Sequence, residues 1–128
     1  MNMMATAMAF FEACEIGKGW SGCAEWCAPN ASFCCQAEEL KNVDTLAAYA
    51  DWMTEVCKAI PDAEYEIKGT GADEERNVVL VYGIFSGTKP AGEDGPARPF
   101  TTDYVYSIEF CDGRIGHMTK IWNDSYES

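Results

Sequence analysis

The sequence is poor in positive charge and in histidine. Nine lysine and arginine residues stand against 21 aspartate and glutamate residues, so the 128-residue chain carries a formal net charge of −12, and it has one histidine. A surface this acidic repels phosphate backbones and anionic lipids, which argues against nucleic acid and membranes as partners. Because 48% of the residues are hydrophobic, the charge does not indicate disorder. The length predicts one domain over residues 1–128.

Long hydrophobic runs are also missing. The longest apolar stretch near the start, Met3 to Phe11, is too short to cross a bilayer and contains Thr6. No lysine or arginine precedes Lys18, so the basic segment that is typical of a signal peptide is absent. We therefore expect a protein that stays in the cytoplasm, where thiols remain reduced.

The seven cysteines are an odd number and cannot all pair within the chain. Cys23 and Cys27 are four positions apart and Cys34 and Cys35 are adjacent, which matches no common zinc pattern. A zinc site and a disulfide remain alternatives at this stage. The pattern favours small apolar side chains in a core. We expect neither a metal nor another cofactor.

Hydrophobic spacing predicts helices in the first half of the chain. Residues 3–16 are predicted to form one helix. Met4, Met8 and Phe11 fall at helical spacing, and either Cys14 or Glu15 is the next position on the same face. A shorter helical piece carries Cys23, Trp26 and Cys27 and ends at Pro29, and a short strand follows over residues 31–37.

The clearest helix has apolar residues at intervals of three and four, which indicates one stripe packed on a core. Asn42 or Asp44 can cap its start, and Pro61 ends it. The stripe consists of Val43, Leu46, Ala47, Ala50, Met53, Cys57 and Ile60.

The second half of the chain has the pattern of a sheet. Strands are predicted over residues 63–68, 77–85, 100–110 and 114–122, with a Gly- and Pro-rich loop over residues 87–99 that is long enough to be mobile. The strand at 77–85 is apolar on both faces, and helices of so short a chain can cover only one. We therefore expect a homodimer formed through the outer sheet face. Helices followed by strands indicate an α+β fold.

This order of elements resembles the SnoaL-like domains of the nuclear-transport-factor-2-like superfamily. Three stretches carry the resemblance: residues 10–33, residues 59–62 at the end of the long helix, and residues 110–124, which contain a Phe-Cys-Asp-Gly turn and a strand ending in Trp122. The resemblance implies a cystatin-like cone, in which about three N-terminal helices pack on the concave side of a curved antiparallel sheet. Its members include isomerases, cyclases, dehydratases, hydrolases and non-catalytic carriers, so fold alone does not fix the function.

The resemblance implies positions for functional residues, and this chain departs from the pattern at each of them. Phe10 stands where ketosteroid isomerases have an oxyanion-hole tyrosine, and Cys35 where they have the aspartate base. Their protonated aspartate falls near Tyr106, and the acid/base aspartate of the cyclases falls near Lys120. We therefore expect a pocket that holds a lysine and lacks the carboxylates of its relatives.

The register of the last hairpin decides which side chains face that pocket, and two registers are open. A two-residue turn would pair Cys111 with Arg114, whereas a three-residue turn would pair Phe110 with Arg114. We prefer the second, which sets Tyr106 opposite Met118 and turns one set of side chains inward. That set is Tyr104, Tyr106, Ile108, Met118, Lys120 and Trp122, with Phe10, Trp26, Phe33 and Cys35 closing the pocket from below.

The preferred hypothesis is a pocket for a small, apolar or aromatic molecule, with acid/base chemistry of the isomerase, cyclase or dehydratase type. Tyr104, Tyr106 and Lys120 are its candidate catalytic residues, since a buried lysine can act as a base or anchor an anion. Plain core packing, with Lys120 reaching solvent, is the simpler interpretation. The alternative function is a non-catalytic binding module or a dimeric assembly module, and a thiol enzyme using Cys35 is a third. His117 is expected on the outer face, while Trp52 fits either the cavity mouth or the dimer seam.

Overall fold

The computed structural model describes residues 2–93 and 95–124. Three helices, α1 (Met3–Glu15), α2 (Gly19–Cys23) and α3 (Leu46–Ala59), lie among and before the strands of a single sheet. The strands are β1 (Cys27–Cys35), β2 (Glu64–Asp73), β3 (Val78–Lys89), β4 (Arg98–Cys111) and β5 (Arg114–Trp122). Short 3-10 turns cover Ala24–Trp26 and Glu38–Leu40. The predicted α+β class, with helices near the start and a cystatin-like curved sheet, is confirmed.

The two longer helices, α1 and α3, begin where a side-chain oxygen accepts from a free backbone N–H group. Asn2 accepts from the Ala5 backbone N–H at the start of α1. Thr45 does the same for Ala48 at the start of α3, so the predicted caps Asn42 and Asp44 are wrong. The predicted short helix is also shorter than expected: α2 ends at Cys23, and Cys27 already belongs to β1.

The sheet is mixed rather than wholly antiparallel as predicted. Its strand order is β1-β5-β4-β3-β2, and β1 runs parallel to β5 while the other neighbours are antiparallel. A parallel pair needs a long crossover, and α3 together with β2, β3 and β4 supplies it. The helices cover one face, where the core lies.

The middle hairpin is longer than the sequence predicts. Strands β3 and β4 pair as far as Lys89 and Arg98, so both ends of the predicted loop 87–99 are strand and the loop is shorter. Asp94 lies outside the described residues. On the outer face Leu80, Tyr82 and Ile121 are exposed apolar side chains. The homodimer expected to cover them stays a prediction.

The last hairpin has a register that neither alternative anticipated in full. Its turn contains two residues, Asp112 and Gly113, both with positive φ, and Cys111 pairs with Arg114. A bulge then inserts Gly116 into β5, so Tyr106 pairs with Lys120. The preferred three-residue turn is therefore wrong. The inward set is nevertheless the predicted one, because the extra residue restores the alternation that the shorter turn would have reversed.

All seven cysteines are free thiols in the structure. Cys14, Cys23, Cys27 and Cys35 are buried and Cys57 is partly buried, whereas Cys34 and Cys111 are exposed. Thus four of the seven occupy the core positions that the sequence favoured. Within residues 2–93 and 95–124, no helix is long and apolar enough to cross a membrane.

Candidate functional site

A cavity of about 270 Å³ opens between α3 and the inner face of β3, β4 and β5. Most of its wall is apolar or aromatic, and the polar side chains Glu15, Tyr104 and Lys120 meet on it. Cavities of this composition are the usual form of small-molecule sites. The rest of the lining consists of Glu39, Trp52, Met53, Val56, Ala59, Ile60, Phe85, Lys89, Pro90, Phe100, Thr102 and Trp122.

The structure brings three of the predicted site residues to the cavity wall: Tyr104, Lys120 and Trp122. Tyr106, Ile108 and Met118 share their face of the sheet but lie deeper, fully buried outside the lining. Phe10, Phe33 and Cys35 are likewise core residues, and Trp26 is partly buried against the core. Trp52, whose place was open, lines the cavity.

Glu15 is the residue that sequence reasoning missed. It ends α1, is only 4% exposed, and accepts hydrogen bonds from the hydroxyl groups of Tyr104 and Tyr106. The helical spacing left Cys14 and Glu15 as alternatives for the buried position. Since the chain has 21 acidic residues, nothing in the sequence separated Glu15 from the acidic residues on the surface. The expectation of a pocket without a carboxylate is therefore corrected.

Tyr104 reaches Glu15 because the neighbouring strand β3 has a glycine, without a side chain, directly opposite it. Gly83 of β3 pairs with Tyr104 of β4, and a Cβ atom at Gly83 would lie 3.1 Å from the Tyr104 hydroxyl oxygen and 3.3 Å from the Phe11 ring. Those contacts are tight, so a larger residue at position 83 would push the tyrosine or Phe11 aside. Glycine thus leaves room for the ring that carries the hydroxyl to Glu15.

A second branch of hydrogen bonds joins Glu15 to Lys120. Tyr106 donates its only hydroxyl proton to Glu15 Oε2 over 2.5 Å, so Tyr49 must donate in the 2.6 Å contact between the two tyrosine hydroxyls. Lys120 Nζ donates to the Tyr49 hydroxyl over 3.1 Å. All donors therefore point from Lys120 towards the Glu15 carboxylate. Tyr49, buried on α3, was not in the predicted stripe.

Burial governs the titration of these groups. It raises the pKa of Glu15, although Lys120 and the two tyrosine hydroxyls act to lower it. Burial lowers the pKa of Lys120, against the attraction of Glu15. Burial and then the charge of Glu15 raise the pKa of Tyr104 and of Tyr106, so both remain hydrogen-bond donors at neutral pH. Each charged partner is thus shifted towards its neutral form.

Aromatic rings surround the Lys120 amine. Nζ lies 5.0 Å from the ring centroids of Tyr49, Tyr104 and Trp122, and 5.4 Å from that of Trp52. Such rings stabilise an ammonium group, so they act against the effect of burial. The amine therefore lies among rings rather than at the surface, and the snorkelling interpretation is wrong, since Lys120 is 5% exposed.

The outer face of the sheet carries a separate polar cluster around His117. Its Nδ1 lies 2.7 Å from Ser32 Oγ, its Nε2 lies 3.7 Å from Cys34 Sγ, and Glu109 Oε2 is 4.0 Å away. The predicted placement of His117 on this face agrees with the structure. In the part of the chain that the structure describes, no group of three or more histidine, cysteine or acidic residues could hold a metal ion.

The chain matches a protein family along most of its length. The model of the family described as "SnoaL-like domain" matches residues 7–118, which is most of the chain. The match contains all of β3 and β4 and the first part of β5, the strands that line the cavity. The chain belongs to the SnoaL-like domain family. A comparison with curated proteins finds no match.

Solved structures with the same fold include three that are 14%, 18% and 23% identical to this chain. IdmH from Streptomyces antibioticus, provisionally assigned as a polyketide cyclase, is 18% identical over 98% of this chain and 95% of its own, with a TM-score of 0.77. A provisionally assigned SnoaL-like polyketide cyclase from Jannaschia sp. CCS1 is 14% identical over 96% and 86%, with a TM-score of 0.75. A provisionally assigned isomerase from Bacillus subtilis is 23% identical over 96% and 90%, with a TM-score of 0.71.

These likenesses establish the SnoaL-like fold of the chain, and its chemistry depends on its own side chains. Cys35, Tyr106 and Lys120 occupy the positions for which the sequence resemblance implied carboxylates. In this SnoaL-like domain a carboxylate reaches the cavity from the end of α1 instead. The site therefore combines the buried carboxylate of Glu15, the buried amine of Lys120 and the Tyr104 hydroxyl on a mainly apolar wall that also includes Glu39 and Lys89.

Proposed function

We propose that this SnoaL-like protein binds a small, mainly apolar molecule with a carbonyl group and moves a proton at the carbon beside that carbonyl. The observation that carries the proposal is the convergence of Glu15, Tyr104 and Lys120 on one apolar cavity. A general base works best when its pKa approaches the working pH, and burial moves Glu15 in that direction.

Each side chain has a distinct part in this proposal. Glu15 takes the proton, because each carboxylate oxygen accepts one tyrosine hydroxyl and keeps further acceptor capacity. Lys120 supplies the positive charge that stabilises the enolate oxygen. Tyr104 positions Glu15. Tyr106 lies outside the cavity lining and acts through its bonds to Glu15 and Tyr49, so it is a positioning residue.

The apolar wall favours an aromatic or alicyclic ligand. Trp52, Phe85, Phe100 and Trp122 face the cavity, and aromatic walls bind flat apolar rings through burial and edge contacts. A volume of about 270 Å³ lies just below the usual range for small-molecule pockets, which suits a ligand of one or two fused rings.

Deuterium exchange tests the proposal without knowledge of the natural ligand. The probe is 2-tetralone in D₂O, and NMR follows the loss of the protons beside its carbonyl. We expect wild-type protein to accelerate exchange and Glu15→Gln to lose at least about a hundredfold of that acceleration. Asp103→Asn, which changes a carboxylate on the outer face, is the matched control and should exchange as wild type does. Equal exchange by wild type and Glu15→Gln would contradict the proposal.

A further inference from the structure

Lys120 has the surroundings of a reactive amine. Its Nζ makes one hydrogen bond, to Tyr49, and it enters none of the ion pairs found among the described residues. The side chain lies on the cavity wall beside Trp52 and Trp122, so a bound molecule can approach the nitrogen. Lysines placed in apolar pockets are known to serve as nucleophiles towards carbonyl groups.

We propose that Lys120 forms an imine with aryl-substituted aldehydes or ketones that bind in the cavity and carry a hydrogen on the carbon beside the carbonyl. The inference rests on the proposed function, because it names the substrate class of the same site and gives Lys120 a covalent part in it. The positive charge that assists removal of the neighbouring proton is then carried by the protonated imine.

The hydrogen-bonded chain can release the amine from its proton. Lys120 donates to Tyr49, Tyr49 to Tyr106, and Tyr106 to Glu15. If each proton moves one step along this chain, Lys120 becomes a neutral amine and Glu15 a neutral acid, while both tyrosines end as they began. Burial favours this outcome, since it lowers the pKa of Lys120 and raises that of Glu15.

The covalent step balances without any further reactant. The nitrogen lone pair attacks the carbonyl carbon, a C–N bond forms, and the carbonyl π electrons move to oxygen. One N–H proton ends on that oxygen, which gives a carbinolamine. A second proton, supplied by the Glu15 acid, lets the C–O bond break and water leave as the nitrogen forms the C=N bond. The product is an imine protonated on nitrogen, and Glu15 is again a carboxylate that can accept the proton from the neighbouring carbon.

Reductive trapping tests the imine directly. The full chain is incubated with 2-naphthaldehyde and sodium cyanoborohydride near neutral pH, and peptide mass mapping locates the resulting secondary amines. We expect Lys120 to be labelled at least about ten times faster than Lys58, a surface lysine whose side chain is 70% exposed. Added 2-tetralone should slow labelling at Lys120 and leave Lys58 unchanged.

Two variants serve as controls. Lys120→Arg keeps a positive charge and a long side chain but cannot form an imine, so it should lose the fast label and the 2-tetralone exchange together. Lys58→Met should keep both. Quenching of tryptophan fluorescence by naphthalene reports whether the cavity of Lys120→Arg still binds an aromatic ring. The comparison of labelling at Lys120 and Lys58 is made in wild-type protein, so it does not depend on the folding of this variant.

The possible results separate this inference from the proposed function. Labelling no faster at Lys120 than at Lys58, with 2-tetralone exchange intact, would overturn the imine and leave proton transfer standing. Fast labelling at Lys120 with no exchange in wild type would support the imine and overturn the proton transfer. Absence of both would overturn both.

Discussion

Glu15 and Asp103 are two carboxylates that accept hydrogen bonds from tyrosine on opposite faces of one sheet. Glu15 accepts from Tyr104 and Tyr106 inside the molecule, and Asp103 accepts from Tyr82 and Asn123 on the outer face. The hydrogen bond from Tyr82, the larger cause, and that from Asn123 lower the pKa of Asp103, whereas burial raises the pKa of Glu15 in spite of its own two tyrosine donors. The same bonding therefore has opposite outcomes.

The difference teaches that the environment, rather than the bonding partner, decides what a carboxylate can do here. On the outer face water solvates the charge, so hydrogen bonds simply add to its stability. In the interior the charge has lost that solvation, and the charge of Lys120 together with the two tyrosine hydroxyls does not fully replace it. The inner carboxylate is for this reason the one suited to exchange a proton.

The largest expected effect comes from removing the inner cation. Lys120→Met removes the positive charge that most lowers the pKa of Glu15 and leaves that carboxylate buried without it, which should cost about 3 kcal/mol of unfolding free energy. Adding Glu15→Gln to that variant should recover part of the loss, because the uncompensated charge is gone. Urea unfolding followed by tryptophan fluorescence measures both.

Lys58→Met is the matched surface control for that experiment. Lys58 pairs with Glu55 on the exposed side of α3, where both side chains are more than two-thirds exposed, at 70% and 72%. Exposed ion pairs contribute little, so the stability of this variant should stay close to that of wild type. If Lys120→Met lost no more stability than Lys58→Met, the charge of Lys120 would not stabilise the buried Glu15 carboxylate, and the contrast between the two faces would fail.

The second prediction concerns pH. The pKa of Glu15 is higher in the folded state than in the unfolded chain, so the folded protein holds an extra proton between the two values. The stability that Glu15 contributes is full below its unfolded pKa, near 4.3, and declines as pH rises through its folded pKa, with a slope of up to about 1.4 kcal/mol per pH unit. Urea unfolding of wild type and Glu15→Gln across pH 3–8 should show this difference.

Asp103→Asn should show the opposite dependence. The folded pKa of Asp103 is lowered, so its contribution is present above the unfolded value, about 3.9, and is lost as pH falls through the folded pKa. Parallel pH profiles for the two variants would mean that burial does not distinguish the two carboxylates.

Much of the fold could be predicted from the sequence because its signals are local. The three- and four-residue spacing marked α3, and the alternation along β4 and β5 marked the inward set that includes Tyr104 and Lys120. The register could not be predicted, since the bulge at Gly116 depends on how β5 pairs with β4 and not on β5 alone. The predicted turn was one residue too long and the bulge was not predicted. Because each error shifts the facing of β5 by one residue, the inward-facing set of side chains stayed as predicted.

The inner network was harder to predict because its members come from distant elements. Glu15 ends α1, Tyr49 lies on α3 and Tyr106 on β4, so only the assembled fold brings them together. Matching positions to relatives located where carboxylates were missing and could not locate the one that replaced them. A glutamate at the end of a mostly apolar helix was the available signal, and the choice between Cys14 and Glu15 concealed it.

The smallest expected effect compares two tyrosine hydroxyls. Tyr106→Phe removes a buried group that donates to Glu15 and accepts from Tyr49, leaving both partners unsatisfied, so we expect a loss of about 1–2 kcal/mol. Tyr82→Phe removes the bond to Asp103 on the outer face, where water can replace it, and should change the urea midpoint very little.

Tyr106→Phe should also raise the pKa of Glu15 further, because one of the hydrogen bonds that lowers it is lost. The midpoint of the 2-tetralone exchange profile would then move to higher pH for Tyr106→Phe and remain in place for Tyr82→Phe, and equal midpoints would show that the inner hydroxyl does not control the base.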